Sequence, residues 1–148
     1  MAEQAKQKHS FICSRGTLDG AYPALILAVN SVRQGHTAAV FYTFMGLNLV
    51  RKGYANKAKY FMPGFLGAIP GMTWLASTMM RKQIRAANIP EIEDLMEMAE
   101  MEGVKFVACH MTMQMMKLDK GELREGVEVM TAEDFMKNAE TSAINMFT

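Results

Sequence analysis

Gly103-Val104-Lys105-Phe106-Val107-Ala108-Cys109-His110-Met111-Thr112-Met113 contains a short, mostly apolar run between a glycine and a cysteine. A run this brief, without strict polar alternation, suits a strand buried on both faces of a parallel sheet over 104–108, and a helix begins directly after it. Cys109 then stands at a strand–helix junction. Helix-start N–H groups are unpaired there and the helix dipole is positive, and both favour thiolate over thiol.

Working outward from this junction, the chain alternates strand and helix signals. Residues 9–14 form an apolar run stopped by Arg15-Gly16-Thr17, a strand and turn. Leu18, Tyr22, Leu25, Val29 and Val32 recur at helical spacing, with Thr17 as N-cap and Gly35 as the closing glycine. Residues 37–42 are a second strand, joined to the first by a right-handed parallel crossover. After an irregular stretch, 72–87 reads as helical, and Pro90 with Glu91, Glu93 and Asp94 opens another helix that Gly103 ends. Beyond Met116, residues 126–130 are a weaker strand, Thr131 caps a helix reaching about 138, and 142–147 is a short final strand. The pattern predicts one three-layer α/β domain over 1–148 with a mainly parallel sheet of four to five strands.

The composition bounds the function classes. Of 148 residues, half are apolar and 21% charged, the profile of a globular chain with one core. Lys plus Arg number 16 against 15 Asp plus Glu, so no strong field recruits nucleic acid. Two cysteines without a CxxC, and a polar segment over 1–8 without an apolar leader core, point to a reducing, cytoplasmic setting and a frayed tail. Sixteen methionines suit an adaptable core and subunit contacts better than a soft-metal site.

Residues 60–80 carry no charge and are flanked by Lys57, Lys59, Arg81 and Lys82. The run is long enough for a membrane span, but Pro63, Gly64, Gly67, Pro70 and Gly71 interrupt it. The segment around 54–89 is instead expected to be an apolar lid or subunit interface, with a monotopic membrane contact less favoured.

Cys109 is the first chemical candidate, as a nucleophilic or sulfur-carrying thiol, with His110 as an accessory influence. Cys13 also ends a strand, with Arg15 two residues on, and is weighed against a buried small apolar side chain. In a flavodoxin-like strand order of 2-1-3-4-5 the two cysteines emerge side by side, near the point where strand order reverses and ligands gather. His9, His36 and His110 do not stand at metal-ligand spacing, and Gly16-Thr17-Leu18-Asp19-Gly20 is neither a dinucleotide fingerprint nor a P-loop. No metal or cofactor is expected.

Phe11-Ile12-Cys13-Ser14-Arg15-Gly16-Thr17-Leu18-Asp19 is similar to a first strand with a Gly/Asp turn. Val40-Phe41-Tyr42-Thr43-Phe44-Met45-Gly46-Leu47 is similar to an aromatic FFTFWGL-type block, and Ala108-Cys109-His110-Met111-Thr112-Met113 to an AC-x-[MT]-[ST]-M motif. With 126–129 and 146–148, these blocks make nearly the whole chain resemble the DsrE/DsrF-like family, in the branch labelled peroxiredoxin-like or DsrE-related sulfur carriers. The resemblance implies a flavodoxin-like sandwich that assembles into homo-oligomers. It also implies a cysteine, Cys109 here, that carries sulfane sulfur as persulfide or thiosulfonate and exchanges it with a TusA-like carrier or a low-molecular-weight donor. Met45 replaces the tryptophan usual in the aromatic block, and the family motif does not require Cys13. Two alternatives stand beside sulfur transfer: a non-enzymatic oligomeric binding module, and a redox switch through a Cys13–Cys109 disulfide.

Overall fold

The computed structural model describes residues 5–148, so the tail expected over 1–8 lies partly outside the described residues, and Lys8 already belongs to a strand. In chain order the elements are β1 (Lys8–Cys13), α1 (Leu18–Arg33), β2 (Thr37–Tyr42), α2 (Met72–Ala86), α3 (Ile92–Met101), β3 (Lys105–Cys109), α4 (His110–Met116), β4 (Glu128–Met130), α5 (Ala132–Ala139) and β5 (Ile144–Phe147). Short 3-10 segments occur at Phe44–Val50, Ala55–Lys57, Gly64–Ala68 and Lys120–Glu122.

Local chemistry accounts for the element ends. Thr17 is the N-cap of α1, and Gly35 takes φ +88° just past its end, a left-handed conformation that glycine adopts without strain. Gly103 does the same after α3 at φ +96°. The Thr131 hydroxyl accepts from the Asp134 N–H at 3.1 Å to cap α5, and donates to the Asp134 carboxylate at 2.8 Å rather than completing a reciprocal capping box.

All five strands are parallel, in the order β4-β3-β2-β1-β5. The expected α/β class and parallel sheet are present, but the 2-1-3-4-5 order is not: β2 lies between β1 and β3, and strand order reverses between β1 and β5. Handedness explains where the helices go. The steps from β1 to β4 all run one way across the sheet, so right-handed crossovers put α1 and α3 on one face; the step from β4 to β5 runs back, so α5 crosses the other.

The first face holds the main core, where Phe11, Cys13, Leu25, Val40, Tyr42, Phe106 and Ala108 pack with Leu18, Ile92 and Met96. The second face holds a smaller cluster of Phe41, Val107, Cys109, Phe135 and Ala139. Phe135 of α5 stacks on Phe41 with ring centroids 4.3 Å apart. Arg124, largely buried, joins the Glu93 and Glu100 carboxylates and so ties the loop before β4 to α3.

The segment over 54–89 packs on the first face. Ala58 belongs to the main core, Tyr60, Met80 and Ile84 lean on it, and the Lys59 carbonyl accepts from the Leu18 N–H at 3.0 Å. Phe61, Phe65, Trp74, Leu75 and Met79 are left exposed. Among the described residues no helix is long and apolar enough to cross a membrane.

Candidate functional site

Pairing of β2 with β3 sets Tyr42 beside Ala108, so the residues that follow each strand, Thr43-Phe44 and Cys109-His110, leave the sheet together. The aromatic block and the cysteine motif, 68 residues apart in number at Phe44 and Thr112, thereby become one site. The Phe44 N–H donates to the Thr112 hydroxyl oxygen at 3.1 Å, and the Thr43 and Thr112 hydroxyls lie 3.2 Å apart. Because Thr112 Oγ1 already accepts from Phe44, its own proton is free to turn toward Cys109 or Thr43.

Phe44 holds φ +46°, a left-handed conformation that costs a side-chain-bearing residue on the order of 1–3 kcal/mol. Its neighbours hold it there. Gly46 donates to the Ser14 carbonyl at 3.0 Å, and a side chain at Gly46 would collide with the Cys13 carbonyl oxygen. Only glycine lets the loop after β2 lie this close to the end of β1. Phe44 and Met45 consequently project outward, 59% and 54% exposed.

Cys109 caps α4 and is almost fully buried, its side chain on the second face with Phe41 and Phe135. Burial opposes ionisation of its thiol. The Thr112 hydroxyl and N–H, the Thr43 hydroxyl and the Met111 N–H act against that and hold the thiol below its ordinary pKa. The neutral sulfur closes no side-chain cap hydrogen bond of regular geometry. These donors serve the anion, and their contacts are expected to shorten when charge is on the sulfur. The helix itself is short, so the adjacent donors matter more than the macrodipole.

The other sequence candidates fall elsewhere. His110 is exposed and makes no hydrogen bond to the thiol. Cys13 faces the main core, fully buried, and its S–H donates to the carbonyls of Arg15 at 3.5 Å and Gly20 at 3.6 Å. Burial pushes its pKa up to about 11. The Arg15 guanidinium turns outward to Asp19 at 3.5 Å, so it does not activate Cys13.

The expected side-by-side cysteines are corrected by the strand order. Cys13 is level with Tyr42 and Ala108, two strands from Cys109 and on the opposite face, which separates the Cα atoms by roughly 10 Å. A disulfide needs Cα atoms within about 7 Å, so the intramolecular redox switch is excluded without backbone rearrangement. The reversal of strand order at β1/β5 is likewise distant from Cys109 and is bridged by Thr148, whose carbonyl accepts from the Ser14 N–H at 3.0 Å. Thr43 and Thr112 were not singled out by sequence reasoning, although both stand inside the blocks that carry the family resemblance, Thr112 three residues after Cys109. Among the described residues no cluster of three His, Cys, Asp or Glu side chains could hold a metal ion.

Fold and site together define a parallel α/β domain with a buried cysteine that closes its third strand and caps the helix after it. The chain belongs to the DsrE/DsrF/DrsH-like family, whose model matches residues 5–147. It is 31% identical to the sulfur carrier protein DsrE2 of Allochromatium vinosum, over 96% of this chain and 98% of that protein. It is 28% identical to the uncharacterized protein YrkE of Bacillus subtilis, over 99% of both. Among solved structures, the ychN protein from E. coli aligns over 95% of this chain and 99% of its own with a TM-score of 0.62 at 12% identity. MTH1491 from Methanobacterium thermoautotrophicum, a protein of unknown function, aligns over the same 95% and 99% at 0.50 and 17%. At these identities the structural matches establish the fold.

Proposed function

We propose that this protein carries sulfane sulfur on Cys109. Family membership and the DsrE2 relative support a role in sulfur transfer generally. The observation that carries the finer reading is the place of Cys109 at the end of β3 as the N-cap of α4, where Thr112 of that helix meets Thr43 and the Phe44 N–H of the loop after β2, a setting that lowers the pKa of the thiol. In the proposed step the thiolate attacks the outer sulfur of a sulfane donor. With thiosulfate, the S–S bond breaks, sulfite leaves with the electron pair, and Cys109–S–S⁻ remains. An acceptor thiolate then attacks the outer sulfur and releases the Cys109 thiolate, so the cycle needs no oxidant or cofactor.

The partner is proposed to be a TusA-like carrier protein or a small sulfane donor. The proposal places the protein in the cytoplasm, where thiols are kept reduced. Exposed Phe61, Phe65, Trp74 and Leu75 support the interface role of the segment over 54–89 in a homo-oligomer. No residue of that segment belongs to the Cys109 cluster, so contact with a second copy is preferred to a lid over the thiol.

Intact mass after incubation with polysulfide or thiosulfate tests the proposal. A gain of one sulfur, reversed by dithiothreitol and abolished in Cys109→Ser but kept in Cys13→Ser, is the expected result. Equal loading of Cys109→Ser, or none in the wild type, overturns it.

A further inference from the structure

The loops that leave β1 and β2 on the side away from Cys109 enclose an open cavity of about 420 Å³, within the size range of small-ligand sites. Its lining includes Gly16, Asn48, Arg51, Tyr54, Lys57 and Lys59, with three cations and no carboxylate. In a chain whose charges nearly balance overall, this is a local concentration of positive charge.

The cations are held in place. The Arg51 guanidinium lies 4.0 Å and the Lys57 ammonium 4.6 Å from the centre of the Tyr54 ring, which restricts both heads. Arg51 donates to the Asn48 side-chain oxygen at 3.2 Å and reaches Glu122 only at 3.8 Å. Its Nε is buried and has no hydrogen-bond partner among the described residues, and neither has the Thr17 hydroxyl, next to Gly16. The terminal guanidinium nitrogens of Arg51 and the Lys57 and Lys59 ammonium groups are the donors that an anionic oxygen in this cavity would meet. Lys57 and Lys59 make no ion pair among the described residues. The position, outside the carboxyl ends of parallel strands, is where open α/β sheets gather ligands.

Two neighbouring features are less suited. The Leu18 N–H at the start of α1 is taken by the Lys59 carbonyl, so recognition falls to side chains rather than the helix end. A larger adjoining cavity of about 780 Å³ shares Lys57 and Lys59 and adds Arg81, but that guanidinium is committed to Glu91 and to the carbonyls of Asn56 and Ala58.

We infer that the Arg51–Lys57–Lys59 cavity is a binding site for a small multivalent oxyanion, separate from Cys109. Phosphate esters and sulfur oxyanions share the required chemistry: tetrahedral oxygens and two or more negative charges. Calorimetric titration of the full chain with pyrophosphate, thiosulfate and sulfate at constant ionic strength tests the inference. Saturable one-to-one binding is expected, unchanged in Cys109→Ser for pyrophosphate and sulfate and read in the Cys109→Ser background for thiosulfate, which would otherwise load Cys109, and weakened at least about tenfold in Arg51→Gln and in the Lys57→Gln/Lys59→Gln pair, the scale of losing charge-assisted hydrogen bonds.

Tighter pyrophosphate binding assigns a phosphate ester, and tighter thiosulfate binding assigns a sulfur oxyanion. Circular dichroism and thermal melts of the lysine pair, whose side chains are at the surface, separate lost binding from lost fold. No saturable heat with any of the three anions overturns the inference, as does equal affinity in the folded lysine variant. Because the Cys109→Ser protein is included, failure here leaves sulfur loading untouched, and failure of sulfur loading leaves this site standing.

Discussion

The Thr112 hydroxyl accepts from the N–H of Phe44 at 3.1 Å and so joins the loop after β2 to the helix that Cys109 caps. One side chain both holds a left-handed residue in place and keeps a proton free to turn toward the thiol or Thr43.

Replacing Thr112 therefore raises the Cys109 pKa and unsettles Phe44. Thr112→Val is expected to slow alkylation of Cys109 near neutral pH, because less thiolate is present, whereas Thr112→Ser keeps the oxygen and the rate. Rates followed by mass spectrometry from pH 6 to 10 check this; an unchanged pH midpoint in Thr112→Val would show that the hydroxyl does not tune the thiol.

The two cysteines are expected to behave independently. With Cys109 below the ordinary thiol value and Cys13 pushed up to about 11, iodoacetamide should label Cys109 first and leave Cys13 unmodified until the protein unfolds. Peptide mapping after mild oxidation should find no Cys13–Cys109 bridge in the folded monomer. Finding that bridge at native spectroscopic signals would contradict the strand order.

Acid should weaken the fold through His9. Its ring is buried beside His36, with centroids 4.6 Å apart, Nδ1 3.0 Å from the Ser31 hydroxyl and Nε2 without a partner among the described residues. Burial first, and then the neighbouring His36, lower its pKa from 6.5. The unfolded chain thus binds a proton more readily than the folded one. Stability is full above about pH 6.5 and declines as the pH falls from there through the lower folded value. Urea midpoints at pH 7.5 and 5.5 measure this; the same decline in His9→Leu would assign it to other groups.

Gly46→Ala is expected to destabilise the protein by about 1–3 kcal/mol, since the new methyl group would meet backbone at Cys13 rather than a side chain that can swing away. Denaturant unfolding gives the value. Gly121→Ala, at a position with open space, is the control and should change little by comparison.

Sequence alone determined the elements and their chemistry. Local signals are written in neighbouring residues, so helical spacing from Leu18, the glycines at 35 and 103 and the cysteine closing β3 were legible without a structure. Cys109 stood out because its junction lies within one short stretch, and the family blocks already contained Thr43 and Thr112. Strand order was not legible. Successive right-handed crossovers leave several permutations open, and which strands pair depends on contacts between residues far apart in the chain. Only the tertiary structure placed β2 between the cysteines, sent Cys13 into the main core and Cys109 to the opposite face, and brought two threonines 69 residues apart together at the end of the strand that Cys109 closes.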